Sequence, residues 1–282
     1  MFTKLLNETE VIEVYTATQS KPSPFHLTDM AASIAMEEVI ALFFSSSGDP
    51  TGGIATQHST LFVNQKILLT SHTICGKEID VQQTPADLKR PGVTGCVVWN
   101  SAVLLGRVLE DWQAQNLLSL YDLNVLELGS GSGLLAIVCA LLGAKTVVAT
   151  DQEERLPQLK RNLVSNEVAN LVVARELDWS DHETLFDEDV DPPNLEYNLV
   201  VATDCIYNEA VTVLFVKTLA KLNCQFAIIA LELRTQEVQS VFIESLVISG
   251  AVLNIHRLPV SAFPEEVRTD RVAVYLIEFG LV

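Results

Sequence analysis

Short apolar segments alternate with amphipathic ones through most of the chain, and this alternation constrains the fold more than any other feature. Strands are predicted at Asn124–Leu128, Thr146–Thr150, Leu171–Leu177, Tyr197–Thr203 and Phe226–Leu231. Helices are predicted at 97–113, after Gly133, around Leu156–Leu163, at 209–222 and at 236–248. Because parallel neighbours need a crossover connection, the order predicts a parallel sheet with helices on both faces. Val252–Leu258 and Arg271–Phe279 are predicted to add an antiparallel pair.

The N-terminal part of the chain has a weaker pattern. We expect an N-terminal extension over 1–95 and one larger domain over 96–282. Met30–Phe44 is compatible with a short helix, and Thr60–Thr70 predicts a hairpin that turns at Asn64 and Gln65. A polar loop is predicted from there to about Gly95.

The charge balance disfavours some partners. The chain has 36 acidic and 18 basic residues, a formal net charge of -18. Binding of a phosphate backbone needs clustered Lys and Arg, so we expect no nucleic-acid partner. The longest apolar run, Leu134–Leu142, is too short to cross a bilayer, and Met1–Glu10 lacks the apolar stretch of a secretory signal. We expect a monomer without a membrane partner.

The cysteines indicate a reducing compartment. There are five, and they are widely spaced without a CxxC pair. This pattern predicts buried thiols rather than a zinc site or a disulfide framework, and therefore a cytoplasmic location. The five histidines fall outside the motifs described below, and we assign them no role.

A glycine-rich loop follows the first predicted strand of the sheet. It reads Glu127-Leu-Gly-Ser-Gly-Ser-Gly133, and Asp151 ends the next strand. Glycines let the backbone approach a ligand closely, and a carboxylate at the second strand end can accept hydrogen bonds from both ribose hydroxyls. The pattern therefore predicts a nucleoside-containing ligand at the carboxyl ends of the strands.

A nicotinamide dehydrogenase would have a similar layout. Counted from Gly129, the third glycine of G-x-G-x-x-G is replaced by Leu134, whereas a count from Gly131 satisfies the looser form that ends in Ala136. Spacing alone therefore leaves both possibilities open. Glu127 favours a different ligand, because its carboxylate would repel a pyrophosphate but could hold an amino group. S-adenosylmethionine has an amino group, a sulfonium and no phosphate.

With these motifs in place, the chain resembles the seven-strand S-adenosylmethionine-dependent methyltransferases, in particular their protein-lysine methyltransferase branch, methyltransferase family 16. The resemblance covers about residues 60–280. The residues that carry it are Val98-Trp99, Glu127–Gly133, Ala149-Thr-Asp151, Leu159-Lys-Arg-Asn162, Asp178-Trp179 and Asp204-Cys-Ile-Tyr207. It implies a Rossmann-like α/β fold with a seven-stranded, mostly parallel sheet and an antiparallel C-terminal hairpin.

The resemblance also implies a set of cofactor-binding residues. Gly129, Ser130 and Gly131 would wrap the methionine part of S-adenosylmethionine, beside Glu127, and Asp151 would hold its ribose. The others are assigned to the adenine end and the walls of the site: Asp178 near the exocyclic amine, Trp179 against the ring, Trp99 over the opposite side and Thr203 on the floor. Indoles suit this task because they offer a large flat surface. Trp112 is interpreted as core.

Asp204 and Tyr207 are the predicted acceptor residues. In the lysine-methylating branch this Asp-x-x-Tyr loop faces the acceptor. A similar motif of nucleic-acid amino-methylating enzymes, Asn/Asp-Pro-Pro-aromatic, follows the same strand, but here Asp191-Pro-Pro-Asn194 lies before the predicted strand Tyr197–Thr203 and is interpreted as a loop. A lysine ammonium has no lone pair, and its deprotonation at neutral pH costs about 4 to 5 kcal/mol. Because a carboxylate stabilises the ammonium, we assign Asp204 to docking and aligning the lysine and Tyr207 to walling its channel. The alternative for Asp204 is a cap of the helix after Asn208.

The sequence thus predicts a protein-lysine N-methyltransferase, with a translation elongation factor as the first candidate substrate. Two alternatives stay open: a catalytically silent methyltransferase fold that binds partners, and a methyltransferase that acts on a small molecule or nucleic acid. The glycine loop and acceptor motif disfavour the first, and the acidity disfavours the second.

Half of the net charge is concentrated in one acidic segment, residues 176–196. It contains no Lys or Arg and nine acidic residues: Glu176, Asp178, Asp181, Glu183, Asp187, Glu188, Asp189, Asp191 and Glu196. A solvated loop is the simple interpretation, and an electrostatic collar that steers a basic, lysine-bearing protein is the functional one.

The collar hypothesis makes a measurable prediction. Neutralising Asp187, Glu188 and Asp189 together should raise the KM for the protein acceptor and flatten its dependence on salt, because long-range attraction is screened. Steady-state kinetics at several salt concentrations test this. An unchanged KM would leave the segment with a role in solubility only.

Overall fold

A computed structural model describes residues 63–90, 92–180, 197–222 and 224–280. The predicted helix over Met30–Phe44 lies outside these residues. So do the Asp191–Asn194 loop and most of the acidic segment, from residue 181 onward.

A seven-stranded sheet forms the centre of the described protein. Its strands are β3 (Asn124–Leu128), β4 (Thr146–Asp151), β5 (Val172–Glu176), β6 (Tyr197–Thr203), β7 (Cys224–Glu232), β8 (Val252–Arg257) and β9 (Val272–Phe279). The spatial order is β5-β4-β3-β6-β7-β9-β8, parallel except for β9, which is antiparallel to both neighbours. The chain runs outward from β3 to β5 and then returns to the other side of β3. The Rossmann-like prediction and its C-terminal antiparallel pair are confirmed.

Helices cover both faces of this sheet. They are α1 (Asn100–Ala114), α2 (Leu134–Leu141), α3 (Leu156–Ser165), α4 (Glu209–Lys221) and α5 (Gln236–Ser249). Alternate strand residues point to opposite faces. Val125 therefore packs with α1 and α2, and its neighbour Leu126 packs with α4 and α5. Trp112 is buried in the first of these cores, as predicted.

The hairpin lies further along the chain than the sequence predicts. Strands β1 (Leu69–Ile74) and β2 (Lys77–Gln82) pair antiparallel, whereas 63–68 contains no strand. The predicted hairpin over Thr60–Thr70 and the polar loop after it are therefore wrong in position. Cys75 and Gly76 form the turn with φ of 58° and 65°, the left-handed pair that tight hairpin turns require. Ile79 and Val81 of β2 are buried, but the polar residues between and around them leave no apolar run in the sequence that would indicate a strand.

Two side-chain amides bind the outer edge of β2, that of Asn162 in α3 and that of Asn166, the residue directly after this helix. Asn162 accepts from Gln82 N–H at 2.9 Å and donates to its carbonyl at 3.1 Å, and Asn166 makes the same pair of bonds with Asp80 at 3.1 and 2.8 Å. The spacing explains the match. Four residues advance a helix by about 6 Å. Two residues advance a strand by about 6.6 Å. The two side-chain amides thus bond to the open edge of β2 as the backbone of a third strand would.

Asn162 also connects the hairpin to the glycine loop. Its fully buried amide donates to the carbonyl of Ser132 at 2.7 Å. Ile74, Ile79 and Val81 of the hairpin belong to the same apolar core as α1 and α2. The hairpin is therefore packed onto the domain that follows it, and the predicted boundary between 95 and 96 stays a prediction.

The five cysteines are free thiols. Four of them are buried as predicted, and Cys75 in the hairpin turn is partly exposed. Burial raises the pKa of the Cys224 thiol to about 12 and that of Cys75 to about 11, which disfavours the reactive thiolate. None of the helices in the described residues is long and apolar enough to span a membrane.

Substituting Asn162 by Ala should lower the free energy of unfolding by about 2 to 4 kcal/mol, because it leaves the buried Ser132 carbonyl and the Gln82 N–H without this partner, while the Gln82 carbonyl keeps its bond from Gln158. Asn166→Ala is the matched control: it removes the same chemistry where water can replace the bonds, and we expect a loss of about 1 kcal/mol. Urea unfolding of the two variants measures both values. Equal losses would show that the buried connection to Ser132 contributes little.

Candidate functional site

A cleft opens at the carboxyl ends of β3, β4 and β6, where the chain reverses its direction across the sheet. Ligands bind at such a reversal in open α/β folds. The cleft encloses about 1080 Å³, part of it open to solvent. All eleven residues singled out in the sequence line it: Trp99, Glu127, Gly129, Ser130, Gly131, Asp151, Asp178, Trp179, Thr203, Asp204 and Tyr207. The structure therefore brings the predicted residues together, while their individual roles stay predictions.

The glycine loop has no room for side chains. Gly129 has φ of 67°, and a Cβ there would lie 2.6 Å from the Cys205 sulfur and 3.2 Å from the Trp179 ring. A Cβ on Gly131, at φ of 53°, would lie 3.0 Å from the carbonyl oxygen of Gly95. The loop before α1 thus contacts the glycine loop directly through its backbone. Larger residues at Gly129 or Gly131 would push the neighbouring groups apart.

Asp151 holds the glycine loop in place. Its Oδ2 accepts from the Gly131 N–H at 2.7 Å and its Oδ1 from the Gln152 N–H at 2.8 Å. Burial raises the pKa of Asp151, and these two donors and the nearby Arg155 oppose that rise. Each carboxylate oxygen has a further lone pair, so the side chain can still accept from the hydroxyls of a ribose.

Glu127 presents an unpaired carboxyl oxygen at the cleft. The side chain is only 1% exposed, and its Oε2 has no hydrogen-bond partner among the described residues. Burial raises its pKa to about 8; the Ser130 hydroxyl opposes the shift and the charge of Asp151 adds to it. An unsatisfied buried acceptor is costly, and an amino group is the donor that would satisfy it. The site therefore fits the ammonium of S-adenosylmethionine.

Two tryptophans line the cleft from different sides. Trp179 packs edge-on against Phe215, with ring centroids 5.2 Å apart at 76°, and its six-membered ring lies against Gly129. Asp178 accepts from the N–H and hydroxyl of Ser180 at 2.8 and 2.7 Å, and these donors lower its pKa. Trp99 donates from its indole nitrogen to the Thr94 carbonyl at 3.1 Å. Both rings are partly exposed, as a binding surface requires.

Asp204 is anchored by two elements. It follows Thr203 at the end of β6 with φ of 52°; its Oδ2 accepts from the Ser101 hydroxyl at 2.5 Å and its Oδ1 from the Glu232 N–H at 2.9 Å. Burial raises its pKa. The alternative reading of Asp204 as a helix cap is wrong, because Asn208 caps α4 by accepting from Val211 N–H at 2.9 Å.

Tyr207 stands at the same end of the cleft. Burial raises the pKa of its hydroxyl, and the hydrogen bond with the Thr94 side chain opposes this shift. Thr94 thus contacts both predicted aromatic walls of the site, Tyr207 through its side chain and Trp99 through its carbonyl. The partly exposed ring can make aromatic contact with an incoming chain.

Sequence reasoning missed several residues of the site. Ser101, in the first turn of α1, binds Asp204, and Arg155 lies almost buried in the cleft, 3.8 Å from the Asp87 carboxylate. Arg234 lies two residues beyond the end of β7, with its guanidinium carbon over the ring of Trp99. The rule that ligands bind at strand ends would have found Arg234. Ser101 and Arg155 reach the site through contacts distant in sequence, and no local pattern marks them.

Comparison with known proteins agrees with this geometry. A family model described as lysine methyltransferase matches residues 82–248. The protein N-lysine methyltransferase METTL21A of Mus musculus is 30% identical over 195 residues, which cover 68% of this chain and 83% of that protein. The protein-lysine N-methyltransferase EFM6 of Saccharomyces cerevisiae is 36% identical over 152 residues, covering 47% and 60%. The protein-lysine methyltransferase METTL21E of Bos taurus is 36% identical over 116 residues, and the match spans only 38% of its length.

The raised pKa of Glu127 makes stability depend on pH. Its pKa is about 8 in the folded protein and lies near its ordinary value of 4.5 in the unfolded chain. Between these values the folded state keeps a proton that the unfolded state has lost. The resulting stabilisation is complete below the lower value and is lost as pH rises through the higher one, at a slope approaching about 1.4 kcal/mol per pH unit.

Glu127→Gln should remove this dependence, so the variant should gain stability relative to the unsubstituted protein between about pH 5 and pH 8. Urea unfolding at several pH values measures the difference. Glu153→Gln, on an exposed residue, is the control and should leave the pH profile unchanged. Parallel profiles for the Glu127 variant and the unsubstituted protein would contradict the assignment.

Proposed function

The chain belongs to the lysine methyltransferase family, and from that premise we propose that it transfers a methyl group from S-adenosylmethionine to a lysine side chain of a protein substrate. The observation that carries the proposal is the single cleft in which the glycine loop lies beside the Asp204–Tyr207 loop. A cofactor site and an acceptor site must be adjacent for direct group transfer.

The cofactor half of the cleft is assigned to residues that suit each part of the ligand. Bound S-adenosylmethionine supplies an activated methyl group on its sulfonium. Glu127 would accept from the amino group, since it offers the unpaired Oε2. Asp151 would accept from the ribose hydroxyls, and Trp179 would provide the flat surface for the adenine beside Asp178.

The acceptor half is assigned to Asp204 and Tyr207. The carboxylate of Asp204 is held by Ser101 and the Glu232 N–H, so it is oriented before the substrate arrives. It would dock and align the lysine, and Tyr207 would wall the channel. Because Asp204 stabilises an ammonium, it does not drive the loss of the proton, which leaves to water.

We propose a basic protein as the substrate, with a translation elongation factor as the first candidate. The acidity of the chain and the family resemblance support this choice. We further propose a cytoplasmic monomer; the five free thiols favour a reducing compartment. A small-molecule or nucleic-acid acceptor and a silent, partner-binding fold are the competing functions.

One experiment separates these functions. The protein is incubated with methyl-labelled S-adenosylmethionine and a cytosolic lysate. A labelled protein band that contains methyl-lysine supports the proposal, RNase-sensitive label favours a nucleic-acid acceptor, and cofactor binding without transfer favours the silent fold.

Two substitutions should separate the halves of the cleft. Asp204→Ala should reduce transfer by about 100-fold or more and leave cofactor affinity within a few-fold, because only acceptor alignment is lost. Asp151→Ala should weaken cofactor binding by about tenfold or more, since it loses charge-assisted hydrogen bonds. Calorimetry and transfer kinetics measure the two effects.

Asp204→Asn is the matched control, because Asn tolerates a left-handed backbone and can still accept from the Glu232 N–H. It should lose transfer at unchanged thermal stability. A loss of cofactor affinity in either Asp204 variant at unchanged folding would assign Asp204 to the cofactor instead.

A further inference from the structure

A cation lies beside the cleft, over the ring of Trp99. Arg234 lies two residues beyond the end of β7, and its guanidinium carbon is 5.2 Å from the ring centroid of Trp99. The side chain is 37% exposed, and its Nη2 lies 3.8 Å from Oε2 of Glu232. A guanidinium over an indole face is attracted to the ring quadrupole, so Arg234 is held by the ring and the carboxylate together.

The partners of Arg234 are themselves tied to the acceptor loop. Glu232 accepts from the Asn100 amide at 2.9 Å, and its N–H donates to Asp204 at 2.9 Å. The end of β7, the start of α1 and the acceptor loop thus form one connected unit. Burial raises the pKa values of Asp204 and Tyr207, and the positive charge of Arg234 makes a small contribution that opposes both shifts.

The described charges around this position are few. Asp204 comes from β6, Glu232 from β7, and Tyr207 from the loop before α4, while Asp151 also acts on Tyr207 from β4. The start of α1 contributes the neutral Trp99, Asn100 and Ser101. Among these residues Arg234 is the cation, and Arg155, which also lines the cleft, acts on Asp151. Without Arg234, the charged side chains beside Tyr207 and Trp99 would be the carboxylates of Asp204 and Glu232.

A cation beside the acceptor favours loss of the lysine proton. Carboxylates hold a lysine in its ammonium form, which has no lone pair, whereas a neighbouring cation favours the neutral amine. We propose that Arg234 is the charge-balancing residue of the acceptor site: it offsets Asp204 and Glu232, so that a lysine docked against Tyr207 and Trp99 releases its proton to water and reaches the methyl donor as a neutral amine. This inference rests on the proposed function.

A cofactor analogue tests the proposal without knowledge of the protein substrate. In this probe the sulfur of S-adenosylhomocysteine is replaced by a nitrogen that bears a two-carbon chain ending in a primary amine. The first carbon takes the place of the transferred methyl group, and the amine lies close to the position of the lysine nitrogen. The quantity measured by calorimetry is the affinity of the probe divided by that of the same nitrogen analogue with a propyl chain, which lacks the terminal amine. The division removes effects that a substitution has on the cofactor half.

Arg234→Gln should raise this ratio by about threefold or more near neutral pH, because the acceptor end then attracts the ammonium more strongly. Arg234→Lys keeps the charge and should retain the original ratio. Arg161→Gln, on an exposed residue of α3, is the control for net charge and should also leave it unchanged. A ratio that stays constant or falls in Arg234→Gln overturns the proposal.

The unsubstituted protein provides a second, independent arm. If the acceptor end favours the neutral amine, the ratio should rise between about pH 7 and pH 9, because the neutral fraction of the free primary amine grows with pH over this range. A flat or falling ratio shows that the ammonium is bound and overturns the proposal. Failure of S-adenosylhomocysteine itself to bind would instead contradict the proposed function, so the two failures are distinguishable.

Discussion

The reversal of chain direction between β3 and β6 is the constraint on which the site depends. Both strands end at the same edge of the sheet, but their connections leave in opposite directions, so no crossover covers the gap between them. Glu127 and the glycine loop come from one side of that gap, and Asp204 comes from the other. The cleft therefore follows from topology, and the side chains determine only what fills it.

The three carboxyl groups of the cleft differ in burial and in their hydrogen-bond partners. Glu127 is the least exposed of the three carboxyls, and burial raises its pKa to about 8. Asp151 and Asp204 each receive two donors, which oppose the same penalty. The unpaired Oε2 of Glu127 is thus available to an incoming ammonium group, whereas hydrogen bonds within the protein hold the two aspartates in position.

The sequence predicted the sheet and most of the site because both follow from local rules. The strands around the glycine loop are mostly apolar, Gly129 and Asp204 directly follow β3 and β6, and Asp151 is the last residue of β4. The hairpin was misplaced because β2, with Lys77, Glu78 and Asp80, shows no apolar run. Ser101 and Arg155 were missed because their importance arises from contacts with Asp204 and Asp87, far away in the chain. Long-range pairing of this kind leaves no periodic signal.

The amide pairs between α3 and β2 also have a consequence for solubility. An open strand edge offers N–H and C=O groups to any passing chain and is a template for intermolecular sheet growth. Asn162 and Asn166 occupy these groups at Gln82 and Asp80, so side chains close the edge instead of another strand. Side-chain amides at the end of a helix thus serve as a barrier to self-association in a two-stranded hairpin, which has no second neighbour to protect it.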